Sequence, residues 1–406
     1  MLRKLSLLAV LLMVLSLTVA AQDDVTIRYF TFSAAPDHLE ELDAIVAAFE
    51  AENPGITVEV ATAPFADYFT LLQADIVSGD APDVFELNYE NFVTFAANDV
   101  LLPLSDYVSG EAPYYPRALE AFQYEGEQSA LPGSFSTVLL FYNADLFDQA
   151  GLDYPTTDWT WADATAAAES ITALGDDVWG LISPVQFWEF YKKAEQQGEC
   201  SFFNEDMTES TLNSEACVET LETMISFMDS GLMPTQADLS GVSEAEFFLS
   251  GNLGMLVTGI WMFGAFEEAP FTWDVQIEPA MNQHAHHFFA NGVAVSASTD
   301  NAEAAAAWAE FLTSSQVAAE VRVASGWELP ALDQPEYFEA YLEQTPPANR
   351  AAVFQALESV ITPPVIERQN EMQDTVNALI TQVVDGELTA QEALEQAKEA
   401  LDALVQ

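Results

Sequence analysis

Seven aromatic residues, Phe32, Tyr89, Phe135, Phe187, Trp188, Trp261 and Trp327, stand beside small polar residues rather than inside apolar periodic runs. An aromatic face offers a flat apolar surface to the C–H side of a pyranose ring, while neighbouring amides, hydroxyls and carboxylates bond the ring's hydroxyls. A polar, uncharged solute needs that combination. Trp261 is the strongest candidate: Gly259, two residues earlier, lets backbone approach closely, and the preceding strand aims the indole at a cleft. Trp159, Trp161 and Trp308 read instead as helix-start or helix-core residues.

The pattern for covalent chemistry is missing. There is no GxxxxGK[ST] loop for nucleotide phosphates, no HExxH and no GxSxG elbow, so neither an enzyme nor a cofactor is expected. Acidic residues are so many that a pair of carboxylates for glycoside hydrolysis carries no signal. His284, His286 and His287 form one cluster, which reads either as a metal-binding pair on an extended strand or, preferred here, as a solvated turn. Arg28, Arg117, Lys192, Lys193, Arg322, Arg350, Arg368 and Lys398 all lie outside the aromatic-bearing loops. A phosphate or carboxylate ligand would call for one of them, so the ligand is expected to be uncharged or cationic.

The elements that must position these residues follow from periodicity. Val25 to Phe30 reads as a strand, a helix starts at Asp37, and Ile56, Val58 and Val60 alternate as a second strand. A helix through Tyr68, Phe69, Leu72 and Ile76 stops at Gly79, and a third strand spans Asp83 to Leu87. This order implies βαβ units and a mainly parallel sheet, whose ligands bind beyond the carboxyl ends of the strands. Thr31, Phe32 and Ser33, and Asn88, Tyr89 and Glu90, fall at those ends. Further along, Leu131-Pro132-Gly133 reads as a turn before the strand Val138 to Tyr142. Helices are expected over Trp161 to Leu174 and Glu215 to Met228, and strands over Met255 to Thr258 and Phe288 to Ser296. A helix follows with Ala307, Trp308, Phe311 and Leu312, and the tail carries a Thr389–Glu392 capping box.

Charge and ends bound the class. With 65 Asp plus Glu against 10 Lys plus Arg, the formal charge is −55. Nucleic acid is excluded as a partner, because phosphate binding needs a basic face, and anionic lipid is disfavoured for the same reason. Self-repulsion of this size points to a saline or acidic habitat. Met1 to Lys4 is basic, Leu5 to Val19 apolar, and small residues precede Gln22, the order of a secretory signal over residues 1–21. An uncleaved anchor is the alternative. In an exported protein Cys200 and Cys217 read as a disulfide, with two free thiols as the other possibility.

Several stretches together carry a family resemblance: Phe49 to Val58 (FEAENPGITV), Ser78 to Phe85 (SGDAPDVF), Phe141 to Trp161 (FYNADLFDQAGLDYPTTDWTW), Gly251 to Trp261 (GNLGMLVTGIW), Gly292 to Phe311 and Gly386 to Ala400. In this order the chain resembles the extracellular solute-binding proteins of bacterial ABC importers, in the group containing the maltose-binding protein. The resemblance implies an α/β, two-lobed periplasmic-binding-protein fold of the clamshell type. Each lobe would use discontinuous chain: 22–131 and 288–322 in one, 132–287 and 323–406 in the other. It also implies a monomer that captures a carbohydrate and passes it to permease subunits in the membrane, a non-sugar solute such as a polyamine being the alternative. Cleft positions carried over are Thr31 to Ser33, Asn88 to Asn91, Ser134 to Thr137, Ser183 to Trp188 and Trp261. Where the maltose binder has charged or aromatic sugar contacts, this chain offers Ser33, Leu87, Ser136 and Gln186.

Overall fold

A computed structural model describes residues 25–33, 36–325 and 329–406. The first half-lobe follows the expected alternation: β1 (Val25–Thr31), α1 (Pro36–Glu52), β2 (Ile56–Thr62), α2 (Phe65–Ser78), β3 (Val84–Asn88) and α3 (Tyr89–Ala97). β2 and β3 both pair with β1 in parallel, so Thr31 and Thr62 end level with each other. Gly79 closes α2 in the left-handed region at φ 80°, where a Cβ would be strained. Leu42, Ile45 and Phe49 of α1 are buried against the sheet, and Phe49 meets Trp308 edge-on at 5.1 Å.

Two long strands join the halves. These are β4 (Ala130–Asn143) and, after α4 (Trp161–Thr172), β5 (Trp179–Ile182), α5 (Phe187–Gln197), α6 (Glu215–Asp229), β6 (Leu253–Gly259) and β7 (Trp273–Gln276), β8 (His286–Val295). The main strand order is β2-β1-β3-β8-β4-β6-β5. Thr137 is the last β4 residue paired to β8, and Val138 the first paired to β6. One strand therefore leaves the first sheet and enters the second without a break. Leu131-Pro132-Gly133, expected as a turn, lies inside β4. Pro132 has no N–H to give a ladder, and it sits opposite Gly292, where the β8 register shifts.

The histidines also differ from expectation. His286 and His287 are buried strand residues, not a solvated turn. Among the described residues no group of three or more His, Cys, Asp or Glu is placed to hold a metal.

The remaining helices include α7 (Ala302–Ser314), α8 (Gln316–Ser325), α9 (Gln369–Val384) and α10 (Ala390–Leu404). Trp308 of α7 is buried, as is Trp161 at the start of α4. Thr389 and Glu392 form the capping box of α10, the Thr389 N–H donating to the Glu392 carboxylate at 3.0 Å. A second core, formed by α5, α6, α9 and α10, includes the Cys200–Cys217 disulfide. Closing that loop contributes about 3 kcal/mol on a chain-entropy view. No described helix is long and apolar enough to cross a membrane; the signal-like residues 1–21 lie outside the described residues.

Candidate functional site

At the crossing between the two sheets, side chains from three elements meet. Trp188 comes from the first turn of α5, Trp261 from the residues just after β6, and Phe289 from β8. Phe289 is the hub, with ring centroids 5.6 Å from Trp261 and 6.0 Å from Trp188, both edge-on. His287 lies two residues earlier on the same strand face and stacks on Phe289 at 3.8 Å, with Trp188 edge-on to it at 5.2 Å. Trp261 is 41% exposed, and Trp188 and Phe289 are half-buried. A group of aromatic faces part open to solvent and rigidly propped from behind is suited to an apolar ring face of a ligand.

Trp261 is aimed by Gly259. A Cβ built on Gly259 would lie 2.0 Å from the indole Cζ3, so the ring rests directly on the glycine's Cα. We expect Gly259→Ala to expel the indole, read as a red-shifted tryptophan emission, with ligand affinity falling in parallel and the melting temperature little changed.

The layer behind the aromatics is ionisable and buried. His287 Nε2 stands 3.5 Å from Glu90 Oε1, both side chains being almost wholly buried. Burial holds the His287 imidazole below its ordinary range, the Lys192 charge adds to this, and Glu90 opposes it. Burial, with Lys192 and His284, takes His286 down to about 3. One step deeper, Lys192 and Lys193 both bridge Glu189 and Glu278: Lys192 to Glu189 at 2.7 Å, Lys193 to Glu189 at 2.9 Å and to Glu278 at 3.3 Å, with Lys192 also on Glu278. Lys193 Nζ sits 4.2 Å from the centroid of the Trp161 ring. Burial alone would raise Glu189, but the two ammonium groups hold it at about 2. This quartet fixes α5 directly behind Trp188.

The nominated residues divide clearly. Phe32, Ser33, Tyr89, Gln186, Trp188 and Trp261 reach the surface. Phe135 does not: it stacks on Phe288 and packs against Tyr115, both at 5.9 Å. Phe187 is likewise core, with Phe202 at 5.4 Å, and its N–H donates to Asn377 Oδ1 of α9 at 2.7 Å. Ser136 and Glu90 are buried. The Thr31 hydroxyl donates to Glu86 and accepts the Ser33 N–H at 3.0 Å. Asn88 caps α3, accepting from the Asn91 side chain at 2.8 Å. The Thr31 and Asn88 side chains are thus engaged in holding the strand ends. Trp327 lies outside the described residues.

Sequence reasoning missed Phe289 and His287, and it placed no cation near the strand ends. Arg322 of α8 in fact lines a small cavity with Thr31, Ser33, His38, Glu41 and Glu86. At ≈ 20 Å³ the cavity holds about one water and no sugar ring. Burial raises the Glu86 carboxyl, and the Arg322 charge and the Thr31 hydroxyl draw it back. The cation is thus answered by a buried carboxyl beside it.

Two lobes sharing a continuous strand, with an open aromatic group where they meet, define a two-lobed solute-binding protein. The chain belongs to the bacterial extracellular solute-binding protein family, whose model matches residues 35–319. It is similar to an ABC substrate-binding protein from Listeria monocytogenes solved in complex with cycloalternan, with 44% identity, a TM-score of 0.90, and 94% of this chain and 99% of that one covered. The galactooligosaccharide-binding protein of Bacillus subtilis is 25% identical, over 87% of this chain and 84% of that protein. A putative binding protein of Brucella abortus is 28% identical over 62% of this chain, and the chain spans 61% of that relative's length. The acarbose-binding GacH receptor of Streptomyces glaucescens shares the fold, at 22% identity and a TM-score of 0.81 over 95% of this chain and 99% of that one.

Proposed function

We propose that this chain is the substrate-binding component of an ABC importer, exported by the signal at residues 1–21, which captures an oligosaccharide between its lobes and delivers it to a membrane permease. The observation that carries this reading is the part-open aromatic group of Trp188, Trp261 and Phe289 at the lobe crossing. The 44%-identical Listeria protein in complex with cycloalternan supports a sugar and makes cycloalternan the first ligand to test. A polyamine finds little support. It would want open carboxylates beside the rings, whereas Glu90, which faces His287 behind them, is buried.

The mechanism is ligand-linked closure. A sugar touching both lobes binds the shut form better than the open one and shifts that equilibrium by the difference in affinity. We take the strand crossing at Thr137 and Val138 as a hinge and move the first lobe exchange there from the expected 131/132, keeping the later ones near 287/288 and 322/323. No covalent step and no cofactor enter, and nucleotide hydrolysis falls to another subunit of the transporter.

Thermal shift on the mature chain separates the ligand classes, because binding to the native state alone raises its melting temperature with occupancy. We expect cycloalternan or a linear oligosaccharide to raise it and spermidine to leave it unchanged. A shift with spermidine alone would overturn the sugar reading.

A further inference from the structure

The aromatic group at the lobe crossing has a counterpart at the opposite end of the same sheet edge. Phe65 opens α2 immediately beyond the carboxyl end of β2 and is 56% exposed, unlike Tyr68 and Leu72, which turn into the core from the same helix. Its ring is not loose. Phe32, just past the end of β1, meets it edge-on at 5.3 Å, and Phe69, one helical turn later, meets it edge-on at 5.5 Å. Phe32 is in turn braced on Tyr68 at 5.3 Å. An exposed aromatic held by perpendicular neighbours is a pre-set flat surface that loses little rotamer freedom when something stacks on it. Ser33 and Thr62 stand near it at the same strand ends, and Asp67 is the one charged residue in the first turn of α2.

The position of this surface is set by strand order. β1, β2 and β3 run parallel, so the residues after Thr31, Thr62 and Asn88 emerge on one edge, and Phe289 lies beside that edge because its strand neighbour Asn291 pairs with Asn88. The order β2-β1-β3-β8 separates the Phe65 and Phe289 strands by three spacings, roughly 14 Å at the usual strand separation. One pyranose cannot cover both surfaces.

We propose that Phe65, braced by Phe32 and Phe69, is a second sugar-stacking face, and that the ligand is an oligosaccharide long enough to touch it and the Trp261–Phe289 group together. This rests on the sugar reading above and adds to it a requirement for chain length. Ser33, half-buried just past the end of β1, lies between the two surfaces, on the path of the intervening sugar units.

The test is calorimetric titration of glucose, maltose, maltotetraose and cycloalternan into the wild type, Phe65→Ala, Phe65→Leu and Phe65→Trp. Phe65→Leu keeps apolar bulk without a flat ring. The expected result is that the Ala and Leu variants lose roughly tenfold in affinity for the longest ligand bound, that the shortest ligand bound is unaffected, and that Trp restores the affinity. Unchanged melting temperatures are expected for all three variants, since the side chain is exposed. An Ala variant with wild-type affinity for every ligand, or one weakened equally for all, overturns the second face while leaving the sugar reading intact. If no sugar binds the wild type, both fall together.

Discussion

Glu278→Gln is expected to cost about 3–5 kcal/mol of folding stability, because it leaves two buried ammonium groups facing a single carboxylate. Glu278 and Lys193 side chains have no exposed surface, and those of Lys192 and Glu189 have almost none. Removing one partner therefore strands charge where water cannot replace it. The measurement is urea unfolding: the midpoint should fall while the slope stays constant, which marks a change in stability rather than in compactness. Replacing all four charges by apolar residues of similar size is the informative contrast, expected to be close to neutral. A loss under 1 kcal/mol for Glu278→Gln would mean the cluster is hydrated. The pH dependence has a definite sign. Glu189 has a folded pKa of about 2, below its ordinary 4.5, so its contribution is complete above 4.5 and is lost as pH falls toward 2. His286, at about 3 against 6.5, acts in the same direction over pH 6.5 to 3. Because this cluster anchors α5, its loosening should also blur the position of Trp188.

How much of this was readable from the residues depends on whether sequence neighbours share an environment. In the first half-lobe they do: the switch from period two to period three or four marks β1 to α3, and turn residues such as Gly79 mark where each element stops. Strand interiors hide their site residues. Phe135 sits between Ser134 and Ser136, which suggested an open polar loop, yet in β4 adjacent side chains point to opposite faces, and the phenyl ring goes to the core. Phe187 and Trp188 are consecutive on α5, about 100° apart around its axis, so one packs on Phe202 and the other reaches Phe289. Phe289 was hidden for the converse reason. Nine of the ten β8 residues are buried whatever their type, so the residues around Phe289 do not say which member lies at an opening. Arg322 reaches Glu86 only through tertiary packing of α8, which no local pattern encodes.

Trp261→Ala is expected to weaken oligosaccharide binding by about thirtyfold or more, the scale of a binding hot spot. The apo melting temperature should hardly move. The two effects separate because of how the indole is held. It is 41% exposed, touches the protein edge-on at Phe289 and lies on Gly259, so removing it opens little cavity in the core while stripping the ligand of its broadest flat contact. Trp261→Phe should recover part of the affinity, since a smaller ring keeps the face but covers less of it. Titration of cycloalternan against both variants supplies the affinities, and small-angle scattering of each with and without ligand supplies the lobe positions. If closure is driven by contacts to both lobes, the alanine variant at saturating ligand should still compact, only at higher concentration. A variant that binds as tightly as the wild type removes Trp261 from the site. One that binds weakly and never compacts at saturation would instead make the indole part of the closing contact itself, in keeping with its place at the end of β6, next to the point where β4 passes from one sheet to the other.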